Sequence, residues 1–190
     1  GAAVLVDGLK EYEVFDDDNR TLAITLLRGF RYVIQPSSKQ DFSHQKGSQC
    51  LGKQTYRLAF FPHRGNWEEG KVFQEALRFN YPLRLFQMGR SEGILSERHS
   101  FLKIEPDRLI LSCLKLPESG LSIGFVVRIY NPTEKPVDGK ITFFRNIEKA
   151  EEVTLEEIPL RELKPPAPDR IDIKIEPKKI ITLRIKLDSQ

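Results

Sequence analysis

The chain has 190 residues, 30 basic side chains against 27 acidic ones, and only three histidines. With 39% hydrophobic and 30% charged residues it has the composition of a folded protein with a core, not of a disordered chain. Charges of both signs are interspersed, so no nucleic-acid footprint stands out, and no apolar run approaches the ~20 residues of a membrane-spanning helix. Cys50 and Cys113 lie too far apart for a CxxC motif and read as free thiols in a reducing cytoplasm, the expected compartment. The chain opens on glycine without a signal peptide, and is expected to be a fragment that was excised, processed or expressed behind a removed tag.

Strand signals dominate. Residues 2–6 form a short apolar run, and a second strand is expected at 12–15. Asp16-Asp17-Asp18-Asn19 favours a turn, because short Asx side chains hydrogen-bond to nearby backbone. TLAITLLRGF (residues 21–30) then reads as a long, mostly buried strand, so that two strands are joined by an acidic turn. Residues 34–53 are polar and rich in Ser, Gln, Gly and Lys, the composition of a long surface loop. Residues 56–61 alternate and predict a strand that stops at Pro62. Asn66 and Glu69 have capping-box spacing, while Trp67, Phe73, Ala76 and Leu77 share one face at helical spacing. A helix is therefore expected over 66–80, lying against a sheet and weakened by Gly70.

Further strands are expected at 83–86, 101–104, 109–116, 122–130, 140–144 and 152–155. Residues 171–175 and 180–187 alternate strongly around Pro177-Lys178-Lys179, a hairpin signal. Short strands at this spacing predict a mainly β chain of β-sandwich architecture with one helix. Pro117 to Gly120 marks an internal seam, which divides the chain into residues 1–118 and a smaller terminal sandwich over 119–190.

Little catalytic inventory is visible. His44, His63 and His99 are scattered without HxH or HExxH spacing, so no metal site is expected within this chain. There is no GxSxG elbow, and neither cysteine has an adjacent histidine. The Asp16–Asp18 run reads as a solvated turn, and Glu151-Glu152 and Glu156-Glu157 as exposed strand edges, rather than as an acid/base pair. His63, in LAFFPHRGNW, stands at a strand end beside Arg64 and close to Trp67; it could cap the strand end or join a polar and aromatic sugar-holding group, and the residues leave the two readings open.

In series, GAAVLVDGLKEYEV, TLAITLLRGF, GSQCLGKQTYRLAFFPHRGNW and ALRFNYPL resemble the C-terminal β-rich region of the glycoside hydrolase family 38 α-mannosidases. SFLKIEPDRLILSCLKLPESGLSIGFVVRIYNPTEKPV and the closing IEPKKIITLRIKL are similar too, closest to the bacterial and archaeal branch that includes mannosylglycerate hydrolases. The resemblance implies a mutarotase-like twisted β-sandwich, or supersandwich, followed by a smaller terminal sandwich. It implies a parent enzyme that is a zinc-dependent, retaining exo-α-mannosidase whose zinc ligands and aspartate nucleophile sit on an N-terminal barrel followed by a helical segment. By this resemblance the present chain binds no cofactor, is catalytically inactive alone, and braces and partly walls the cleft. Its expected partners are the barrel and helical domains of the same polypeptide and, in the intact enzyme, the mannoside, with room for a homo-oligomer. Asp7, Lys10 and Arg28 map to the family's cleft corner and His63 to the stretch before its helix. These four are the candidate substrate-cleft residues. Two rivals remain: a free-standing carbohydrate-binding module displaying Trp67, Tyr32 and Tyr81, and a mutarotase-like epimerase using His63 or His99 with Glu13 or Glu105.

Overall fold

The computed structural model describes residues 1–35, 38–90, 92–120 and 124–188. It resolves the chain into two compact units, Gly1–Arg84 and Leu85–Gln190. The seam expected at Pro117 to Gly120 falls inside the second unit, between two strands that pair with each other.

The first unit is built from short antiparallel pairs. β1 (Ala2–Val6) pairs with β6 (Leu58–Pro62), β2 (Tyr12–Val14) with β3 (Leu22–Ile24), and β4 (Tyr32–Gln35) with β5 (Ser38–Asp41). The acidic turn between β2 and β3 forms as expected. Asp17 accepts the Thr21 N–H at 2.9 Å and the Thr21 hydroxyl at 2.7 Å, and these bonds hold its carboxyl below the ordinary value.

Three expectations for this unit are corrected. The long strand over 21–30 pairs only at Leu22–Ile24, and Leu26, Leu27 and Phe30 beyond it are exposed. Its continuous apolar pattern would suit a strand covered on both faces, and the described residues provide no such cover. The loop over 34–53 contains most of the β4–β5 hairpin and a short 3-10 helix, Lys46–Gln49. The helix over 66–80 is shortened to α1 (Val72–Asn80). The capping box does form: Asn66 Oδ1 accepts the N–H groups of Glu68 and Glu69, and Glu69 Oε2 accepts the Asn66 N–H. It closes a separate turn, because Lys71 adopts a left-handed backbone (φ 53°) that breaks the helical path.

The second unit is a β-sandwich. One sheet has the order β13 (Arg170–Ile175), β10 (Val137–Phe143), β7 (Leu102–Glu105). The other runs β12 (Pro159–Glu162), β11 (Ile147–Val153), β14 (Ile180–Leu187), β9 (Phe125–Tyr130), β8 (Ile110–Lys115). Alternation decides what faces inward: Val137, Ile141 and Phe143 of one sheet meet Val127, Ile129, Leu183 and Ile185 of the other in one buried cluster.

Here the first part of the strand expected over 122–130 lies outside the described residues, and the rest forms β9. The strand expected at 83–86 is absent: Leu83, Leu85 and Phe86 are almost fully exposed and pair with nothing among the described residues. The hairpin expected around Pro177 is also corrected, since β13 pairs with β10 and β14 with β9 and β11. Pro177 and Lys178 therefore carry the chain from one sheet to the other. Both strands alternate because each buries one face in the same core, which a hairpin pattern imitates.

Candidate functional site

The four sequence candidates all lie in the first unit, and the β1–β6 register separates them. Ala2 pairs with Pro62 and Val6 with Leu58, so Asp7 follows the end of the pair opposite to His63. Five residues of strand put these two ends about 17 Å apart.

At the Asp7 end, the Arg57 guanidinium lies 3.0 Å from the Asp7 carboxylate and donates to the Phe79 carbonyl at 3.3 Å. Its plane sits over the Phe79 ring, 4.9 Å from the centroid. Arg57 thereby ties the end of β1 to the end of α1, a contact the sequence reading did not single out. Asp7 borders a concave surface lined also by Phe73, Leu77 and Tyr81. Gly8, with φ of 76°, turns the chain toward Lys10 and Glu11, which line a second pocket with Leu9, Tyr12 and Ile24. Arg28 reaches the same place through its ion pair with Glu11 at 3.4 Å. Lys10 and Arg28 thus both adjoin Glu11, while Asp7 borders a separate concavity with Arg57 as its partner.

His63 is held differently. Its N–H donates to the Gly1 carbonyl at 2.9 Å, its ring stacks on Phe61 at 6.0 Å, and its Nδ1 lies 3.3 Å from the Arg64 carbonyl. A Cβ placed on Gly70 would come within 2.5 Å of the imidazole, so the glycine that weakens the helical pattern is what lets the ring pack there. His99 makes edge contacts with Phe101 and Phe144, while Glu105 pairs with Lys103 at 3.1 Å. Among the described residues no three His, Cys, Asp or Glu side chains converge as a metal site would require. Both cysteines are free. Trp67, Tyr32 and Tyr81 are all exposed, at 39%, 40% and 77%, and Lys39 and Arg31 lie over the Tyr32 ring.

The second unit buries the polar residues that sequence reading missed. Asn131 is fully buried: its amide donates to the carbonyls of Lys135 and Ile175 at 2.7 and 3.0 Å, and its Oδ1 accepts from the Thr133 N–H and hydroxyl. Glu151 and Glu157, expected as exposed edges, are also covered. The Lys149 ammonium, then the Arg184 guanidinium, holds the Glu151 carboxyl below its usual value. The signal for Asn131 was available in Asn131-Pro132-Thr133, which suits an Asx turn. The glutamates carried none, because their burial depends on strands distant in sequence.

Comparison with known proteins agrees with this second unit. Residues 108–183 match the family model described as the glycosyl hydrolases family 38 C-terminal beta sandwich domain. The match lies wholly within the sandwich and spans less than half of the chain. It supports taking that segment as a domain of the family 38 C-terminal kind, and a domain of that kind implies other domains in the same polypeptide. No curated protein and no solved structure matches the chain. No helix among the described residues is long and apolar enough to cross a membrane.

Proposed function

We propose that the chain is the non-catalytic C-terminal β-region of a zinc-dependent, retaining α-mannosidase of the mannosylglycerate-hydrolase-like branch, and that it braces and partly walls the active-site cleft. The observation that carries this reading is the family 38 match over residues 108–183, which coincides with the sandwich core. A second observation supports it. In the first unit Leu5 is the only hydrophobic side chain among the described residues to be buried, while Tyr12, Phe15, Leu27 and Phe60 stand exposed. Apolar surface of that extent is characteristic of an element that other polypeptide covers. In this reading the first unit belongs to the larger mutarotase-like sandwich, and the metal and the attacking carboxylate lie on a barrel elsewhere in the polypeptide. Asp7, Lys10 and Arg28 border the cleft, and His63 is scaffold. The compartment is the cytoplasm, where free thiols are stable.

The test is hydrolysis of an aryl α-mannoside with and without added zinc. The chain by itself gives no turnover, and a polypeptide extended to include the barrel gives zinc-dependent turnover. Stoichiometric zinc binding by the isolated chain would overturn the proposal. The exposure of Trp67, Tyr32 and Tyr81 favours one other reading, a carbohydrate-binding module. Calorimetric titration with mannose and short mannosides separates the two: saturable binding by the isolated chain, lost in Trp67→Ala, supports the module.

A further inference from the structure

The middle of the outer face of the five-stranded sheet is covered, although a sheet of this kind commonly leaves one face to water. Val126, Val153 and Thr182 point away from the sandwich core, yet each is no more than 3% exposed. A polar layer lies over them. Arg128 of β9 donates Nε to the Thr182 hydroxyl at 3.2 Å and a terminal nitrogen to the Leu155 carbonyl at 3.1 Å. Arg184 of β14 donates to the Glu157 carbonyl at 3.3 Å and pairs with Glu151 at 2.7 Å. Leu155 and Glu157 belong to the connection between β11 and β12, so both arginines hold its backbone against the sheet.

Glu157 does more than receive these contacts. Its backbone is left-handed, with φ of 67°, a conformation that residues with a Cβ rarely adopt. Its side chain is turned inward and the residue is 7% exposed. Oε2 accepts the Glu118 N–H at 2.9 Å, and Oε1 lies 2.7 Å from the Lys115 ammonium, which also pairs with the Glu118 carboxylate. One carboxylate thus joins the β11–β12 connection to the corner where the chain leaves β8, across 39 residues of sequence.

We propose that Glu157 is a charge-operated latch: as a carboxylate it fastens the β11–β12 connection to the Lys115–Glu118 corner and keeps the connection seated over Val126, Val153 and Thr182, and without its charge the two segments part. The groups that face it are Lys115 and Glu118 from the β8 corner, Arg128 from β9 and Arg184 from β14, the last neutralised by Glu151 of β11, which Lys149 also pairs. Lys115 first, then the Glu118 amide and Arg128, keeps the carboxyl below its ordinary value. A lowered value means that the latch is closed throughout neutral pH and opens only as pH falls through it.

The test is amide hydrogen exchange of the full chain at neutral pH, read at the Glu118 N–H. Glu157→Gln keeps the shape and removes the charge, and is expected to speed that exchange at least tenfold. Glu156→Gln, at the exposed neighbour, is expected to leave it unchanged. If Glu157→Gln does not fold, Glu157→Gly replaces it, since glycine suits the left-handed backbone and carries no carboxylate. It should speed the exchange equally. Glu118 exchange within twofold of the parent chain in the folded Glu157 variant, or an equal acceleration in Glu156→Gln, would overturn the proposal.

Discussion

Asn131 shows how one buried amide organises a whole end of the sandwich. Its side chain fastens the 131–135 loop to itself through Thr133 and Lys135, and to the crossover between the sheets through Ile175. Truncation would leave several buried carbonyls and an N–H without partners, so Asn131→Ala is expected to cost about 3 kcal/mol in chemical denaturation followed by hydrogen exchange of β13. Asp41 makes the corresponding case for an exposed charge. Its hydrogen bonds from Arg31, then from the Ser43 N–H, lower its pKa to about 2. A depressed carboxylate stabilises above its ordinary value and loses that contribution as pH falls through the lowered one. The β4–β5 pair should therefore keep its ion pair down to about pH 2. An NMR titration of the Asp41 carboxyl checks this, and Arg31→Gln should return it toward the usual carboxylate range.

At the scale of elements, the segment from Pro62 to Asn80 opposes local preference to packing. Helix propensity alone would make Gly70→Ala stabilising by up to about 1 kcal/mol. The added Cβ would lie within 2.8 Å of three His63 atoms, which belong to the ring and its root. The expected outcome is instead a loss of about 1–3 kcal/mol, measured by thermal denaturation followed through Trp67 fluorescence. The capping box was legible because it is local, and it formed. What the residues could not reveal was that Lys71 would turn left-handed and leave the box on a turn of its own. The strands of the sandwich were legible for a similar reason, since alternation reports a half-buried face. Which strand pairs with which is not local, and that is where the hairpin expected around Pro177 became a crossover.

Over the whole molecule the two units differ in how much core they possess. Apart from Leu5, every buried hydrophobic residue among those described lies in the second unit. Limited tryptic digestion should therefore cut first in the exposed segment around Arg90 and Arg98 and leave a resistant fragment beginning near Phe101, while the first unit is degraded. Survival of a fragment covering residues 1–84 with loss of the second unit would contradict that order of stability.

The amino-acid pattern by itself determined the mainly β character, the acidic turn and most of the sandwich strands, because each rests on a few neighbouring residues and a two-residue period. It also carried the family resemblance, which the matched residues 108–183 support over the second unit. Tertiary structure alone decided the division of strands between sheets, the pairing of Asp7 with Arg57 and of Arg28 with Glu11, and the burial of Glu157. Those outcomes depend on contacts between segments tens of residues apart, whose free energy is settled only when both faces of a sheet have found their cover.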